Sequence, residues 1–341
     1  MVGGGIIGLA VAWRAVRQGL DVTVYDPAPG SGASWASAGM LAPDAEAHFG
    51  EELLRPLLLD SLGRWPAFAA ELAAESGHDL GYVTDGTLLV ALTDDDLREV
   101  ERMRAYTESV GGEMAALPGR RLRELEPLLS PRVRGGAWAP QDVQVDPRRV
   151  VAALLDVLDG RVVRQPVPDV GAVDADRVVV AAGCGSLDLA GLPVRPVKGQ
   201  ILRLYAPGTT FRRVIRGLAD GRPVYLVPRP SGEVVVGATV EERGYDVSVT
   251  AGAVHELLRA AVDLIPGLAE YELVETRAGL RPGTPDNLPI LGARDDRVIV
   301  ATGHHRHGVV LTPVTADSIA ELLATGAAPA VIGPFTPGRF R

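Results

Sequence analysis

The chain has 341 residues and a net charge of −9, and that length predicts about two domains. Apolar residues make up 47% and charged residues 23%, as in ordinary globular proteins, which excludes collagen-like, coiled-coil and disordered classes. The acidic balance argues against a nucleic-acid partner, because such a partner requires a basic face. Cys184 is the single cysteine, so an internal disulfide is excluded. No apolar run is long enough to cross a membrane, and we expect a cytoplasmic protein.

Apolar spacing and turn residues predict an alternation of helices and strands. In chain order the predicted elements are a helix at 6–18, a strand at 21–26, a helix at 52–76, a strand at 84–92, a helix at 94–110, a strand at 135–140, a helix at 146–158, strands at 177–183, 199–205, 223–229, 232–239 and 297–303, and a helix at 313–325. Gly19, Gly77 and Gly111 follow the first three helices and act as stop signals.

The predicted strands are of two kinds. The runs at 177–183 and 297–303 are continuously apolar and end in small residues and glycine, as buried parallel strands do. The strands between 199 and 239 follow one another without an intervening helix, which is typical of an antiparallel sheet. We therefore predict an α/β fold in which a Rossmann-like, doubly wound domain is interleaved with a largely antiparallel α+β domain. The first domain is predicted to comprise 1–43, about 140–196 and about 270–341, and the second about 44–139 and 197–269.

A glycine-rich turn opens the chain. Gly3, Gly5 and Gly8 form GxGxxG, followed by the first helix and by a strand that ends in Asp26. Such glycines permit a tight turn, close approach of the backbone to a pyrophosphate and close packing of helix on strand, while the acidic residue bonds a ribose hydroxyl. Only Met1 and Val2 precede the glycines, so the predicted first strand is very short. The motif predicts a dinucleotide cofactor without separating FAD from NAD.

Longer segments point to one family. In order they are VGGGIIGLA, ASAGMLAP, APQDVQVDP, VVVAAG, PVKGQ, VYLVPR, VVVGATVEERGYD, AGLRPGTPDNLPILG and TGHHRHGVVLTP. Their number and order resemble the D-amino-acid oxidase superfamily of FAD-dependent oxidoreductases, and within it the glycine oxidases of thiamine biosynthesis. The resemblance runs nearly end to end and implies an FAD-binding and a substrate-binding domain, with FAD held non-covalently.

The resemblance also implies which residues contact FAD. They are Gly3, Gly5, Ile6, Ile7 and Gly8 at the turn, Asp26 and Pro27 at the ribose, Ala33, Ser34, Ala38, Gly39 and Met40 in the next loop, Val167 at the adenine, Gly183, and His304, His305, Arg306, His307, Gly308, Val309 and Val310 around the isoalloxazine. Small side chains at 36–39 suit a backbone that approaches a flat ring. The ordinary alternative for this loop is a solvated turn.

On the substrate side the resemblance points to Arg281, Tyr225, Arg306 and Val240. Arg281 matches the family's carboxylate-binding arginine, and a guanidinium suits that role because two parallel hydrogen bonds fix position and angle. Tyr225 matches a tyrosine that orients the ligand, and Arg306 matches a position at the substrate mouth. Val240 stands where some relatives have methionine in the pocket wall. A surface charge is the ordinary alternative for either arginine.

The HHRH stretch at 304–307 raises the question of a metal site. Its spacing does not bring three imidazoles to one tetrahedral point, and no carboxylate or thiol is near in sequence, so we expect no metal. Relatives often have tyrosine and asparagine at the positions of His305 and His307. The chain therefore departs from the family pattern at the substrate mouth.

The resemblance implies oxidative deamination of glycine, and of other small amines or D-amino acids, by hydride transfer to flavin N5. With O2 as acceptor this gives an imine, then glyoxylate, ammonia and H2O2, and the imine supplies the thiazole branch of thiamine biosynthesis. No side chain is expected to act as acid or base, because the flavin carries the chemistry. The expected partners are the small substrate and O2, with no nucleic acid and no membrane, in a homo-oligomer that the resemblance implies is a tetramer.

Three alternatives stay open. A D-amino-acid dehydrogenase or a sarcosine-type oxidase of the same superfamily would share these motifs. A tRNA-modifying flavoprotein oxidase shares the fold, although the acidic balance and the lack of a methyltransferase half count against it. A non-catalytic dinucleotide-binding protein would show the glycine turn alone.

Overall fold

The computed structural model describes residues 1–208 and 211–340, and helices and strands alternate in it as the sequence predicts. The helices are α1 (Ile6–Arg17), α2 (Ala33–Ala36), α3 (Arg55–Ser76), α4 (Asp94–Ser109), α5 (Gly119–Leu125), α6 (Pro147–Val157), α7 (Ser186–Ala190), α8 (Ala251–Leu264) and α9 (Thr312–Thr325). The strands are β1 (Val24–Tyr25), β2 (Met40–Leu41), β3 (Thr87–Ala91), β4 (Ala115–Pro118), β5 (Gly135–Ala139), β6 (Val143–Gln144), β7 (Val162–Val163), β8 (Val178–Val180), β9 (Arg195–Tyr205), β10 (Val214–Ala219), β11 (Arg222–Pro228), β12 (Glu233–Gly237), β13 (Glu272–Gly283), β14 (Ile290–Ala293) and β15 (Val298–Thr302).

A mainly parallel sheet carries the glycine turn at its centre. The strands β7, β1, β8, β15 and β14 lie in that order, and Val2 fills the place between β1 and β8 by bridging Tyr25 and Val180. The Val2 amide donates to the Val179 carbonyl at 2.8 Å, and the Gly3 amide donates to the Tyr25 carbonyl at 2.9 Å. All these pairs are parallel except β14 with β15. The short first strand is therefore paired on both sides, and the glycines leave the sheet at the carboxyl ends of its strands.

Both faces of this sheet are buried. Val179 and Ile299 point into a core formed with α1, α3, α6 and α9, whereas Val178 and Val298 point to a smaller core on the other side. Successive residues of a strand point to opposite faces. A strand covered on both faces must therefore be apolar throughout, which explains the unbroken valine runs.

The second sheet has eight strands in the order β13, β9, β12, β11, β10, β3, β5, β4, and it is antiparallel except where β10 pairs with β3. On one face, Leu202 and Leu226 pack against Leu257 and Leu264 of α8. The opposite face carries Ile201 and other residues of a separate apolar cluster. The predicted α/β fold class, with a largely antiparallel second part, is confirmed.

The predicted division into two interleaved domains stays a proposal. Two elements make contacts that cross the predicted domain boundaries. β13 pairs with β9 along its whole length, although 270–341 was assigned to the other domain. α3 lies in the core with α1, although 44–139 was assigned away from it. Strand pairing produces the first contact and side-chain packing the second. Both join segments that are distant in sequence, so local patterns do not predict them.

Several elements were not predicted. The segment that forms β13, ELVETRAGLRPG, lacks a clean apolar alternation, so the long strand depends on its pairing with β9. α8 was missed, as were β10 and the short strands. The predicted strand at 21–26 is reduced to Val24–Tyr25, because only those residues meet a parallel neighbour.

Within residues 1–208 and 211–340, no single helix combines the length and apolarity needed to cross a membrane. One bent pair, Thr312–Thr325 with Ala330–Phe340, meets the length and composition criteria together, at an angle of 105°.

Replacing Gly8 with alanine should destabilise the fold. A Cβ at this position would lie 2.0 Å from the Gly3 carbonyl oxygen, so the turn and α1 would have to separate. We expect a loss of about 1–3 kcal/mol in the free energy of unfolding, the usual cost of overpacking, together with lower FAD content. Chemical denaturation and flavin absorbance measure the two effects.

Gly63→Ala is the matched control. Gly63 lies exposed in the interior of α3, and nothing is within 4 Å of an added Cβ. Alanine there should stabilise the protein by roughly 0.5–1 kcal/mol. Equal effects of the two substitutions would contradict the close approach at Gly8.

Candidate active site

One cavity of about 930 Å³ extends from the glycine turn to the eight-stranded sheet. Its size is at the upper end for ligand pockets, as a dinucleotide and a substrate together require. Most of the predicted site residues line it: Gly3, Gly5, Ile6, Ile7, Asp26, Pro27, Ala33, Ser34, Ala38, Gly39, Met40, Val167, Gly183, His304, His305, Arg306, Gly308, Val309, Arg281, Tyr225 and Val240. Their roles remain proposals.

Three predicted residues do not line the cavity. Gly8 lies behind the turn, where its missing Cβ lets α1 approach Gly3. His307 is buried behind the wall. Val310 is also buried, and its carbonyl accepts hydrogen bonds from Ser61 at 2.6 Å and from Trp65 at 3.0 Å. These three residues support the cavity from outside.

A glycine with positive φ and a capping serine shape the turn at the start of α1. Gly3 has a φ of +110°, and a Cβ there would lie 2.4 Å from the Ala181 carbonyl oxygen, so only glycine fits. The Ile6 amide donates to the Ser34 hydroxyl at 3.0 Å. Ser34 thus caps a helix that has no cap of its own at Gly5. The helix N-terminus favours negative charge, as a pyrophosphate carries.

Asp26 is held at the rim of the turn. One carboxylate oxygen accepts from the Gly4 amide at 2.6 Å, and the other accepts from the Ala28 amide at 2.7 Å. A carboxylate has further lone pairs, so the fixed group can still accept from a ribose hydroxyl. Together with the glycine turn, this arrangement fits FAD. The residues that would hold it here are Gly3, Gly5, Ser34 and Asp26.

Residues 33–39, named here the connecting segment, contact the start of α1 and the eight-stranded sheet. Gly39 has a φ of +80°, and a Cβ there would lie 2.0 Å from the Val145 carbonyl oxygen. A Cβ on Gly279 of β13 would lie 2.5 Å from the Cβ of Ala36. The small residues therefore allow close packing of protein on protein. That is a second reason for their size, beside the predicted approach to a flat ring.

Two arginines fix carbonyl groups of the connecting segment. Arg229 is buried, and its Nη2 donates to the Ala38 carbonyl at 2.5 Å. Burial lowers the pKa of Arg229 to about 10, which leaves it charged at neutral pH. Arg148 Nε donates to the Trp35 carbonyl at 3.1 Å, and its guanidinium makes two 2.8 Å hydrogen bonds to Glu275 of β13. Sequence reasoning missed these contacts, because each joins residues more than a hundred positions apart.

Arg281 lines the cavity from β13. Its Nη1 donates to the Thr239 carbonyl at 3.2 Å and to the Lys198 carbonyl at 3.4 Å. Gly199 makes room for the guanidinium, since a Cβ there would lie 2.4 Å from Nη1. Among residues 1–208 and 211–340, no carboxylate forms an ion pair with Arg281. Its positive charge thus faces the cavity without a protein counter-ion.

Tyr225 lies on β11 beside this guanidinium. Gly237, its partner on β12, has space for the phenol, because a Cβ at Gly237 would lie 2.3 Å from the Tyr225 hydroxyl oxygen. Burial raises the pKa of Tyr225, against a smaller opposite effect of the Arg281 charge. The hydroxyl therefore keeps its proton at neutral pH and can donate a hydrogen bond.

Arg306 differs from Arg281 because Glu51 neutralises it. The Arg306 Nη1 lies 2.9 Å from one Glu51 carboxylate oxygen, and its Nη2 contacts the other. Burial tends to raise the pKa of Glu51, but the nearby His307 ring and the Arg306 guanidinium outweigh it and lower that pKa to about 2. The pair is therefore ionised at neutral pH. Arg306 lines the cavity with its charge already balanced.

The three histidines of the 304–307 stretch have separate surroundings. His304 Nε2 lies 3.0 Å from the Thr315 hydroxyl, and burial lowers the pKa of His304 to about 3. Burial, helped by the charge of Arg306, also lowers the pKa of His305 to about 3. Both rings are thus neutral at physiological pH. In the described part of the chain, no three potential ligands surround a common metal position.

Two acidic or basic residues of the cavity wall were not predicted. Glu46, after β2, and Arg216, on β10, both line the cavity near Tyr225, and Arg216 Nη1 lies 2.7 Å from Glu46 Oε1. No sequence motif marks either residue, because the pair forms only when the segment after β2 folds over the sheet.

Comparisons with known proteins agree with this geometry. A family model described as FAD dependent oxidoreductase (DAO) matches residues 1–322. The putative thiamine biosynthesis oxidoreductase ThiO of Rhizobium etli is 36% identical over 326 residues, covering 95% of this chain and 95% of that protein. The crystal structure of glycine oxidase from Geobacillus kaustophilus has a TM-score of 0.89 at 30% identity, covering 98% of this chain and 96% of that one.

Some relatives are longer. The bifunctional protein ThiO/ThiG of Trichormus variabilis is 31% identical over 360 residues, which cover 100% of this chain and 55% of that protein. The chain thus spans about half the length of such relatives.

The family match covers most of the chain, and the fold and the dinucleotide turn agree with it. The predicted resemblance and the predicted FAD are therefore confirmed: the chain belongs to the DAO family of FAD-dependent oxidoreductases and is an FAD-dependent enzyme.

Proposed function

We propose that this protein oxidises the amine of glycine and of other small amino acids, using FAD and O2, to give an imine that hydrolyses to glyoxylate and ammonia, with H2O2 as the second product. The observation that carries this proposal is the Arg281 guanidinium, which faces the cavity near Tyr225 without a counter-ion. A planar cation beside a proton-donating tyrosine suits a carboxylate.

The residues around the substrate would bind and orient it. Arg281 would hold both carboxylate oxygens, and Tyr225 would donate a third hydrogen bond, which fixes the direction of the Cα–H bond. FAD, when bound, supplies the electron-accepting chemistry. The neutral ring of His305 adds no positive charge that would repel a protonated amine. No side chain is assigned as acid or base.

The names of the relatives support a place in thiamine biosynthesis, with the imine as the product that a thiazole-forming enzyme consumes. We further propose non-covalent FAD, a cytoplasmic location and a homo-oligomer. Arg306 is a weaker candidate for the carboxylate anchor than Arg281, since Glu51 already balances its charge.

A second candidate is an oxidase or dehydrogenase of D-amino acids with apolar side chains. Beyond Tyr225 the cavity continues between Leu89, Val100, Met103 and Leu218. These side chains come from β3, α4 and β10, and they offer apolar walls to a substituent that glycine lacks.

A substrate panel tests the two candidates. Glycine, sarcosine, D-alanine, D-proline and D-leucine are offered in aerobic buffer, and peroxide and imine are quantified. We expect glycine to give the highest kcat/KM and one peroxide per imine. A preference for D-leucine would favour the second candidate, and turnover that needs an added quinone would favour a dehydrogenase. FAD should be released on denaturation.

Arg281→Ala should abolish most of the activity. The loss of a charge-assisted carboxylate pair should cost about 2–5 kcal/mol in kcat/KM. Arg281→Lys should recover only part of it, because the ammonium lacks the planar fork. Steady-state kinetics and FAD content are measured. Arg259→Ala, an exposed site on α8, is the control and should behave as wild type. An unchanged KM for glycine in Arg281→Ala would place the anchor elsewhere.

Gly199→Ala should impair the enzyme indirectly. The new Cβ would occupy the place of the Arg281 guanidinium, which must then move. A displacement of this size should lower kcat/KM by about ten- to a hundredfold, while thermal stability changes little because the guanidinium is the flexible end of a side chain. Gly267→Ala, with nothing within 4 Å of the new Cβ, is the control. Wild-type kinetics in Gly199→Ala would show that Arg281 binds substrate from another position.

A further inference from the structure

Glu46 is the acidic side chain at the substrate end of the cavity. Among the described residues that line the cavity, the carboxylates are Asp26 and Glu46. Asp26 lies at the glycine turn, and both its oxygens already accept backbone hydrogen bonds. Glu46 lies near Tyr225, and its side chain is 11% exposed. The substrate end therefore has one negative group.

Glu46 is fixed in place from two sides. Its backbone follows Asp44 and Ala45, whose amides donate to the buried Asp142 carboxyl group at 3.1 and 2.8 Å. Arg216 Nη1 contacts Oε1 at 2.7 Å, and in the described chain Arg216 is the single cation within 4 Å of the Glu46 carboxylate. The second oxygen, Oε2, keeps its lone pairs for another donor.

Tyr225 connects this pair with Arg281. Arg216 and Tyr225 are directly opposite each other on β10 and β11, and Tyr225 is opposite Gly237 on β12. Paired strands lie about 4.8 Å apart, so Arg216 and Tyr225 are neighbours on the cavity face. The phenol leans over Gly237, on the side of the sheet toward β9 and Arg281. Glu46 and Arg281 thus lie on opposite sides of the tyrosine.

A zwitterion in this cavity has two charges to satisfy. Arg281 offers a cation to the carboxylate, while the ammonium needs a hydrogen-bond acceptor of opposite charge when it leaves water. Glu46 is the acceptor that the cavity wall provides. We propose that Glu46, held by Arg216, receives the substrate nitrogen and makes this enzyme selective for substrates whose amine is positively charged. The inference rests on the proposed function and names the group that recognises the amine.

Glycine and acetate, two ligands that share a carboxylate, test the role of Glu46. Acetate has the carboxylate of glycine but no nitrogen, so Arg281 contributes equally to both. In the Glu46→Gln holoenzyme we expect the dissociation constant of glycine, from the concentration dependence of anaerobic reduction, to rise at least about tenfold. Acetate affinity, from titration calorimetry, should stay equal or increase, because Arg216 loses its counter-ion. Glu46→Asp should recover part of the glycine affinity.

The exposed Glu270→Gln is the matched control and should leave both constants unchanged. Equal loss of glycine and acetate affinity in Glu46→Gln, or no loss of either, would overturn the inference. If glycine fails to reduce the wild type, the proposed substrate is wrong. Calorimetry then compares glycine directly with acetate, and selective loss of glycine binding in Glu46→Gln would still support Glu46 as the ammonium-binding residue.

Discussion

The contact of the connecting segment with α1 on one side and with β13 on the other is the constraint on which the site depends. Residues 33–39 cap α1 through Ser34, meet β13 through the Ala36–Gly279 contact and give the Ala38 carbonyl to Arg229. Each contact is close enough that a larger side chain would not fit or a buried polar atom would lose its partner. Residues of this segment also line the cavity, so the shape of the cavity follows from these contacts. Displacing the segment would change the cofactor end and the substrate end together.

The arginines of the cavity are of two kinds: those paired with a carboxylate and one without such a partner. Arg306 is balanced by Glu51, and Arg216 by Glu46, whereas Arg281 contacts carbonyl oxygens and faces the cavity. An arginine that a carboxylate already balances attracts a substrate carboxylate weakly, while an unbalanced arginine in a partly dry cavity attracts one strongly. Arg281 and Arg306, which the sequence analysis both placed on the substrate side, therefore differ in what they can bind. The neutral histidines beside them leave this pattern unchanged.

Sequence reasoning was strongest where local chemistry determines structure. The glycine spacing, the helix stops and the valine runs each follow from the backbone or from burial on both faces, and the structure has them at nearly the predicted positions. It was weakest where an element forms through pairing or packing between distant segments. β13 has little apolar alternation and forms a strand because it pairs with β9 along its length. α3 packs with α1, although the predicted domain boundary separates them. The residues Glu46, Arg216 and Arg229 belong to no motif, since their partners come from other elements.

The sequence by itself determined a dinucleotide cofactor and the α/β class, because those follow from motifs whose spacing is set by local geometry: a turn that only glycine can make, an acidic residue at a strand end, and apolar runs of strand length. The family, and FAD as the dinucleotide, came from the resemblance of the longer segments. The sequence also selected many of the residues that line the cavity. Only the tertiary structure decided which arginine of the cavity remains without a counter-ion, which carboxylate lies in the wall near Tyr225 and which small residues serve packing. Those outcomes depend on distances between side chains that are far apart in sequence, because folding determines which groups surround each charge and fill each space.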